Sequence, residues 1–293
     1  MKELDLSKLP APDAVEALDF ERLAGEWRAD LAGRNPAFTA AVESDPAYQE
    51  MDVGAYRELG TRNRVNQGVK AVMLSHSTGA DLDNLVANVN VQRQVIDPGD
   101  PGAVPPVSPV YESNDALRRR AQLRWESITT AGSIESYEYH ALSAAGAVRD
   151  VYVVSPEPCE IDIYVLAHSD TGVADTELIS TVNAAVSPKK VRPVGDLVRV
   201  QSADVVPVEV IAELEIGNGP SASVILAAAA AAVRELIEPE QPMGLIADLP
   251  SLYAALKQPG VGRIHLAEPA ADIELAANQA PMLTKLQITR RAN

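Results

Sequence analysis

The sequence predicts an α+β protein with a helical N-terminal half, followed by α+β modules with short mixed sheets. In the first half, apolar residues recur at helical spacing, as at Phe20, Leu23, Trp27 and Leu31. The second half instead alternates apolar and polar residues over short segments, which is typical of half-buried strands. The composition is 46% hydrophobic but only 4% aromatic, so the core must consist mainly of Ala, Val, Leu and Ile.

Three helices are predicted before residue 90. Asp19 can cap the first, which ends at Asn35-Pro36 because the residue before a proline disfavours helical backbone. The second extends from about Ala47 to about His76. Its predicted buried face consists of Leu59, Val65, Val69, Val72 and Met73. A break at Gly79 precedes a short third helix, from Ala80 to about Ala87.

The other face of the second predicted helix is densely polar. It carries six charged or amide residues: Arg57, Arg62, Asn63, Arg64, Asn66 and Gln67. This density is high for one helix of a small fold and indicates a helix that meets partners on more than one side. Arg62 and Arg64 are therefore predicted interface residues.

Capping residues and periodicity define the later elements. Ser113 or Asn114 can cap a helix over 115–126, and Ser133 can cap one that extends to about Ala144. The remaining predicted elements are strands at 148–154, 161–166, 197–201, 205–216, 261–266 and 283–289, and helices at 175–186, in the Ala-rich segment ending near Ile237, and before Lys257.

Turn-forming residues divide the chain into five predicted segments. An N-terminal arm and helical region spans 1–96, and a Pro/Gly-rich connector without regular structure spans 97–110. A second helical region spans 111–146. Two α+β domains follow, at 147–216 and 217–293. The connector is a candidate hinge.

No sequence pattern predicts a catalytic, metal or cofactor site. None of the four histidines has another His or Cys three or four residues further on, as zinc ligands often do. The nucleophile elbow, the phosphate-binding loop and the dinucleotide-binding motif are missing as well. We therefore predict no enzymatic activity, no metal and no cofactor.

The formal net charge of −16 argues against two classes of partner. Lys and Arg drive nucleic-acid binding by displacing counterions from phosphates, and an anionic membrane surface repels an acidic protein. The most apolar run, Val224–Val233, is also shorter than the roughly 20 residues of a membrane span. We predict neither nucleic-acid binding nor membrane insertion.

Four arginines, Arg118, Arg119, Arg120 and Arg124, cover a broad face of one predicted helix. They could lie on a solvated face, or they could bind carboxylates of a partner or of the same chain, which suits the bidentate arginine fork. Under the partner interpretation, charge reversal at Arg118 and Arg120 is expected to spare the fold and weaken assembly.

Short motifs occur in a fixed order along most of the chain. They are Leu18–Glu21, Thr78-Gly79-Ala80-Asp81-Leu82-Asp83, Asp115 with Leu117, Arg118 and Arg120, Ala131-Gly132-Ser133, Tyr137–His140, Val148–Val151 and Arg192–Asp196. In this order they resemble the baseplate J-like family of contractile phage tails and related contractile injection machines. One position departs from that pattern, because Cys159 stands where the family turn usually has glycine.

The resemblance implies a structural subunit of a baseplate wedge. Such a subunit would associate with itself and a smaller wedge partner, surround a central hub and spike with other wedges, and take part in triggering sheath contraction. It would assemble in the host bacterial cytoplasm and reside in the tail baseplate of the mature particle. The alternatives are a tail-associated cell-wall hydrolase, which needs converging carboxylates or zinc, and a receptor-binding tail protein, for which an aromatic-rich β domain is expected.

Overall fold

The computed structural model describes residues 6, 9–10, 12, 14–37, 43–128, 132–217, 222–239 and 242–291. The chain forms two compact units, Met1–Gln92 and Arg93–Asn293. The described part of the first unit is helical, whereas that of the second combines helices with short sheets, two of which have three strands. The predicted α+β class is confirmed.

Three helices make up the regular structure described in the N-terminal unit: α1 (Phe20–Arg34), α2 (Pro46–Ala71) and α3 (Gly79–Ala87). The Asp19 side chain accepts hydrogen bonds from the Glu21 and Arg22 backbone N–H groups in the first turn of α1, which confirms the predicted cap. The helix ends with Asn35 as its C-cap, as predicted from the proline that follows.

The buried face of α2 differs from the prediction. Met51, Ala55 and half-buried Leu59 recur every four residues, and Ala55 and Leu59 pack with Leu23 and Ala24 of α1. Val65 and Val72, predicted to be buried, are 58% and 71% exposed. At 100° per residue, Val65 lies about 80° around the helix from Ala55, so packing on α1 does not cover it.

The predicted connector forms a β-hairpin instead of an irregular linker. Strands β1 (Val95–Asp97) and β2 (Val110–Tyr111) are antiparallel, and Asp100 forms a further bridge with Val107. The Asp97 and Asp100 carboxylates each accept a hydrogen bond from the N–H two residues further on. These side-chain turns reverse the chain and leave the Asp100 and Val107 backbone groups free to pair.

A three-stranded mixed sheet, which we call the middle sheet, follows two helices, α4 (Asn114–Leu123) and α5 (Ile134–Leu142). Its strands are β3 (Val148–Val154), β4 (Glu160–Ala167) and β5 (Leu197–Ser202), and α6 (Thr176–Val186) lies between β4 and β5 in sequence. β4 is the central strand, antiparallel to β3 and parallel to β5. One face buries Ile163 and Val165 against residues of α5 and α6.

The turn between β3 and β4 contains the one departure from the family motifs. Cys159 has a φ of 65°, in the left-handed region that favours glycine. The position therefore has the backbone conformation that a family glycine would adopt without strain.

A second three-stranded sheet, the C-terminal sheet, has the order β10-β6-β8. Its strands are β6 (Asp204–Ile216), β8 (Val261–Glu268) and β10 (Gln279–Arg290). Helices α7 (Ala222–Ile237) and α8 (Leu249–Leu256) bury Val233, Ile237 and Leu252 with the sheet residues, and a short pair, β7 (Ile246–Ala247) with β9 (Ile273–Glu274), adjoins them.

The strand pairing bears on where the α+β domains divide. Both hydrogen-bonded neighbours of β6 lie beyond residue 216, the predicted end of the first α+β domain. We propose that the division instead falls at Ala203, the single residue between β5 and β6.

Candidate assembly surfaces and their supporting contacts

Arg120 is a buried residue that binds a carboxylate of the same chain. It is 4% exposed and donates from Nε to Glu112 Oε1 at 2.6 Å and from Nη2 to Oε2 at 2.7 Å. Glu112 is itself buried. This is the bidentate geometry that arginine favours with carboxylates. Charge reversal at Arg120 would therefore bring two negative charges together in the interior, so the expectation that this change spares the fold is wrong.

The same carboxylate connects α4 to the base of the β1–β2 hairpin. Glu112 Oε2 also accepts from the Gln94 backbone N–H at 3.1 Å. Arg93 donates to the Glu112 carbonyl at 2.6 Å and to Asn114 Oδ1 at 2.9 Å. Gly146 permits a close approach from the other side, because a Cβ there would lie 2.0 Å from the Val95 carbonyl oxygen. The base of the hairpin is thus fixed to the body of the second unit.

Arg119 forms a second ion pair with the interior. Its Nη1 donates to Asp150 Oδ1 at 2.9 Å, and the Asp150 side chain is 3% exposed. Burial raises the pKa of Asp150, and Arg119 opposes that rise by favouring the carboxylate. The sequence left open whether the four arginines face solvent, a partner or carboxylates of the same chain. Arg119 and Arg120 both bind carboxylates of the same chain.

The other predicted interface arginines have different partners. Arg118 pairs with exposed Asp115, and the Arg124 guanidinium lies 5.6 Å from the centre of the Tyr139 ring. In the first unit, Arg62 pairs with Glu58 and Glu16, and Arg64 is exposed. An interface role for these residues stays a prediction.

Three of the family motifs meet at one point in the second unit. Gly132 has a φ of 73°, and a Cβ there would lie 2.5 Å from the Pro193 ring. Tyr137 donates its hydroxyl to Asp196 Oδ2 at 2.8 Å, and Arg192 donates to the Asp196 carbonyl at 2.7 Å. The motifs at 131–133, 137–140 and 192–196 therefore form one structural joint, although Ala131 lies outside the described residues.

Replacing Tyr137 by phenylalanine tests that joint. The free energy of unfolding near neutral pH should fall by about 1–3 kcal/mol, because Asp196 loses a buried donor. Burial and Asp196 raise the pKa of Tyr137, so above pH ~10 an unfolded tyrosine loses its proton while folded Tyr137 keeps it. Wild-type stability should therefore fall more steeply than that of Y137F as the pH rises above ~10. Urea unfolding at several alkaline pH values measures this, and equal slopes would contradict it.

The remaining motif residues lie in or next to helices α3 and α4, or at Gly132. Gly79 has a φ of 53° at the start of α3, and Leu82 of that helix is fully buried, whereas Asp83 is half-buried. Leu117 of α4 is also fully buried, and exposed Asp115 lies in the first turn of the same helix. Gly79, Leu82 and Asp83 belong to the first unit, whereas Asp115, Leu117 and Gly132 belong to the second.

A groove of ≈ 680 Å³ lies between α1 and α2. Trp27, Leu31, Ala47 and Met51 contribute apolar surface, and acidic and basic side chains line the rest. Trp27 stays 40% exposed although its indole N–H donates to Glu58 at 2.6 Å. Val53, Tyr56 and Val65 of α2 are exposed as well, and so is Val72, the C-cap residue that follows the helix. This two-helix layer therefore leaves apolar surface uncovered within its own unit, which marks a candidate assembly surface.

The structure gives roles to three carboxylates that were assigned none from the sequence. Glu112, Asp150 and Asp196 accept the hydrogen bonds that organise the second unit. For Glu112 and Asp150 the arginine run was the signal, because buried arginines require carboxylates nearby.

Within the described ranges, no group of three or more His, Cys, Asp or Glu side chains could bind a metal ion. No helix in that part of the chain has the length and apolar character needed to cross a membrane.

Comparisons with known proteins agree with the motif order. A model of the baseplate J-like N-terminal domain matches residues 43–100, and one of the baseplate J-like central domain matches residues 129–202. The six-fold symmetrised cryo-EM structure of the anti-feeding prophage baseplate matches at 14% identity with a TM-score of 0.42, covering 64% of this chain and 44% of that one. Baseplate protein J of Escherichia phage P2 is 40% identical over 295 residues, covering 98% of each chain. On the domain-model matches and the identity to the phage P2 protein, the chain belongs to the baseplate J-like family.

Proposed function

We propose that this chain is a wedge subunit of its baseplate and that it assembles with a smaller wedge partner and with further copies of itself. Membership of the family already identifies it as a structural protein of a contractile-tail baseplate. The proposal adds that wedges built from it surround the central hub and spike. It also adds that the protein takes part in the rearrangement that triggers sheath contraction.

The observation that carries the proposal is the uncovered apolar surface of α1 and α2. A 26-residue helix packed on one neighbour would normally place its apolar side chains on that side alone. Here Val65 and Val72 lie on a different side, and the groove beside Trp27 is open. Additional helices from partner chains would complete a bundle and bury this surface. An interface role for Arg62 and Arg64 is part of the same proposal.

The remaining features of the proposal follow from chemistry and family. A net charge of −16 favours protein partners over nucleic acid or an anionic membrane surface. Assembly would occur in the host cytoplasm before the baseplate joins the tail. No described cluster favours the cell-wall hydrolase alternative, and the 4% aromatic content does not favour a receptor-binding protein.

Replacing Val65 and Val72 together by aspartate tests the surface. Both side chains are exposed in the isolated unit, so circular dichroism should remain unchanged. Binding to the wedge partner should weaken by at least roughly tenfold, because burying a valine contributes ~1.5 kcal/mol and an unpaired buried carboxylate opposes association. The control pair Thr181→Asp and Ala184→Asp adds the same charge at exposed positions of α6 in the second unit. Equal pull-down of wild type and V65D/V72D would count against the proposal.

A further inference from the structure

Strand β3 contains a bulge at Arg149. Val148 pairs with Ala167 and Asp150 pairs with Leu166, so Arg149 is an extra residue opposite β4. Neighbouring side chains of a regular strand point to opposite faces, and a bulge changes that alternation. Two adjacent residues of opposite charge can therefore reach the same segment.

That segment follows α7, and the described residues that take part in the contacts are Glu238, Pro239 and Met243. Arg149 Nη2 donates to the carbonyls of Glu238 at 3.4 Å and Pro239 at 3.1 Å. Asp150 Oδ2 accepts from the Met243 backbone N–H at 3.3 Å. The guanidinium and the carboxylate thus bind backbone acceptors and a backbone donor of one segment.

The contacts continue on both sides of the bulge. The other Asp150 oxygen accepts from Arg119 of α4, so the carboxylate is fixed from its own module. Within the segment, the Glu238 side chain accepts from the Leu283 N–H of β10. A chain of hydrogen bonds therefore extends from α4 through β3 to the C-terminal sheet.

The apolar contact at this joint is small. Leu166, Ala203 and Ala280 are buried together, with Val205 and Met243 packed against them. Two of the three buried residues are alanines, so little apolar area is available to fix an orientation. The covalent connection between the two sheets is also short, because only Ala203 separates β5 from β6. A joint of this kind can pivot unless a second attachment restrains it.

We propose that Arg149 and Asp150 form that second attachment, a module clamp that sets the orientation of the C-terminal sheet on the middle sheet. The Ala203 connection and the clamp together fix one orientation of the two sheets. Without the clamp, the sheets can rotate about Ala203. In a baseplate that rearranges by rigid-body movement of modules, this joint is where the two sheets move relative to each other. That last step rests on the proposed function, whereas the clamp itself is a property of the isolated chain.

Hydrogen exchange on the full-length chain tests the clamp. In Arg149→Ala, the amides of Met243 and the following residues should exchange roughly tenfold faster, because one side of the attachment is lost. Arg149→Lys, which retains a donor, should recover part of the protection. Lys190→Ala removes an exposed cation elsewhere in the same module and should leave these amides unchanged.

A distance measurement tests the orientation itself. Cys159 is the single cysteine and is exposed on the middle sheet, and Val224→Cys provides an exposed second site on α7. Spin labels at both positions should give a narrow distance distribution in the otherwise wild-type chain and a broader one with Arg149→Ala. Unchanged exchange and an unchanged distribution in Arg149→Ala would overturn the clamp. Both readouts use the isolated chain, so failure of wedge assembly would overturn the proposed function without affecting this result.

Discussion

Replacing Arg120 by alanine is expected to lower the free energy of unfolding by about 3–5 kcal/mol. The change leaves the Glu112 carboxylate buried without its bidentate partner, and a buried unpaired charge is among the most destabilising defects in a protein interior. Since whole domains are stable by only about 5–15 kcal/mol, this one substitution should remove a large share of the total. Chemical denaturation followed by circular dichroism measures the loss.

Arg118→Ala is the matched control for this substitution. Arg118 is on the same helix but pairs with Asp115, whose side chain is 81% exposed and stays in solvent when Arg118 is lost. Glu112→Ala and the double variant complete a mutant cycle. If the pair acts as described, the double variant loses much less stability than the sum of the single variants. Equal effects of Arg118→Ala and Arg120→Ala would contradict the buried-pair account.

Replacing Leu82 by aspartate should have the second large effect. Leu82 is fully buried in the first unit, so the variant both removes an apolar side chain and buries a carboxylate. Loss of a buried leucine alone costs about 2–5 kcal/mol. We therefore expect α3 to lose its local packing, which heteronuclear NMR or limited proteolysis of the chain would detect.

Ala80→Asp is the control in the same helix. Ala80 is exposed in the first turn of α3, where a negative charge interacts favourably with the helix dipole. This variant introduces the same side chain and should keep wild-type stability. A folded Leu82→Asp variant, resistant to protease like wild type, would show that the motif leucine does not anchor the helix.

Local signals predicted much of the fold. Asp19 and Ser133 cap helices as expected, and each predicted strand overlaps an observed one. The hairpin at 95–111 was not predicted, because its Pro and Gly residues indicate turns but do not show that the flanking residues pair. The buried face of α2 was wrong for a similar reason: apolar spacing identifies a stripe, but the neighbouring helix decides which stripe is buried.

The contacts that organise the second unit were less accessible from sequence. The order of the motifs was enough to predict the family, and the arginine run indicated carboxylate partners. Glu112 is 8 residues from Arg120, whereas Asp150 is 31 residues from Arg119, and only the fold brings each pair together. The clamp depends on a bulge, which no local residue preference in β3 predicted.

The most direct test of the wedge proposal is the mass of the complex formed in solution. The chain is expressed alone and together with the tail proteins encoded beside it, and light scattering after size-exclusion chromatography gives each mass. We expect a discrete complex that contains more than one copy of this chain and a smaller partner. A chain that stays monomeric in the presence of every neighbour would contradict the proposal.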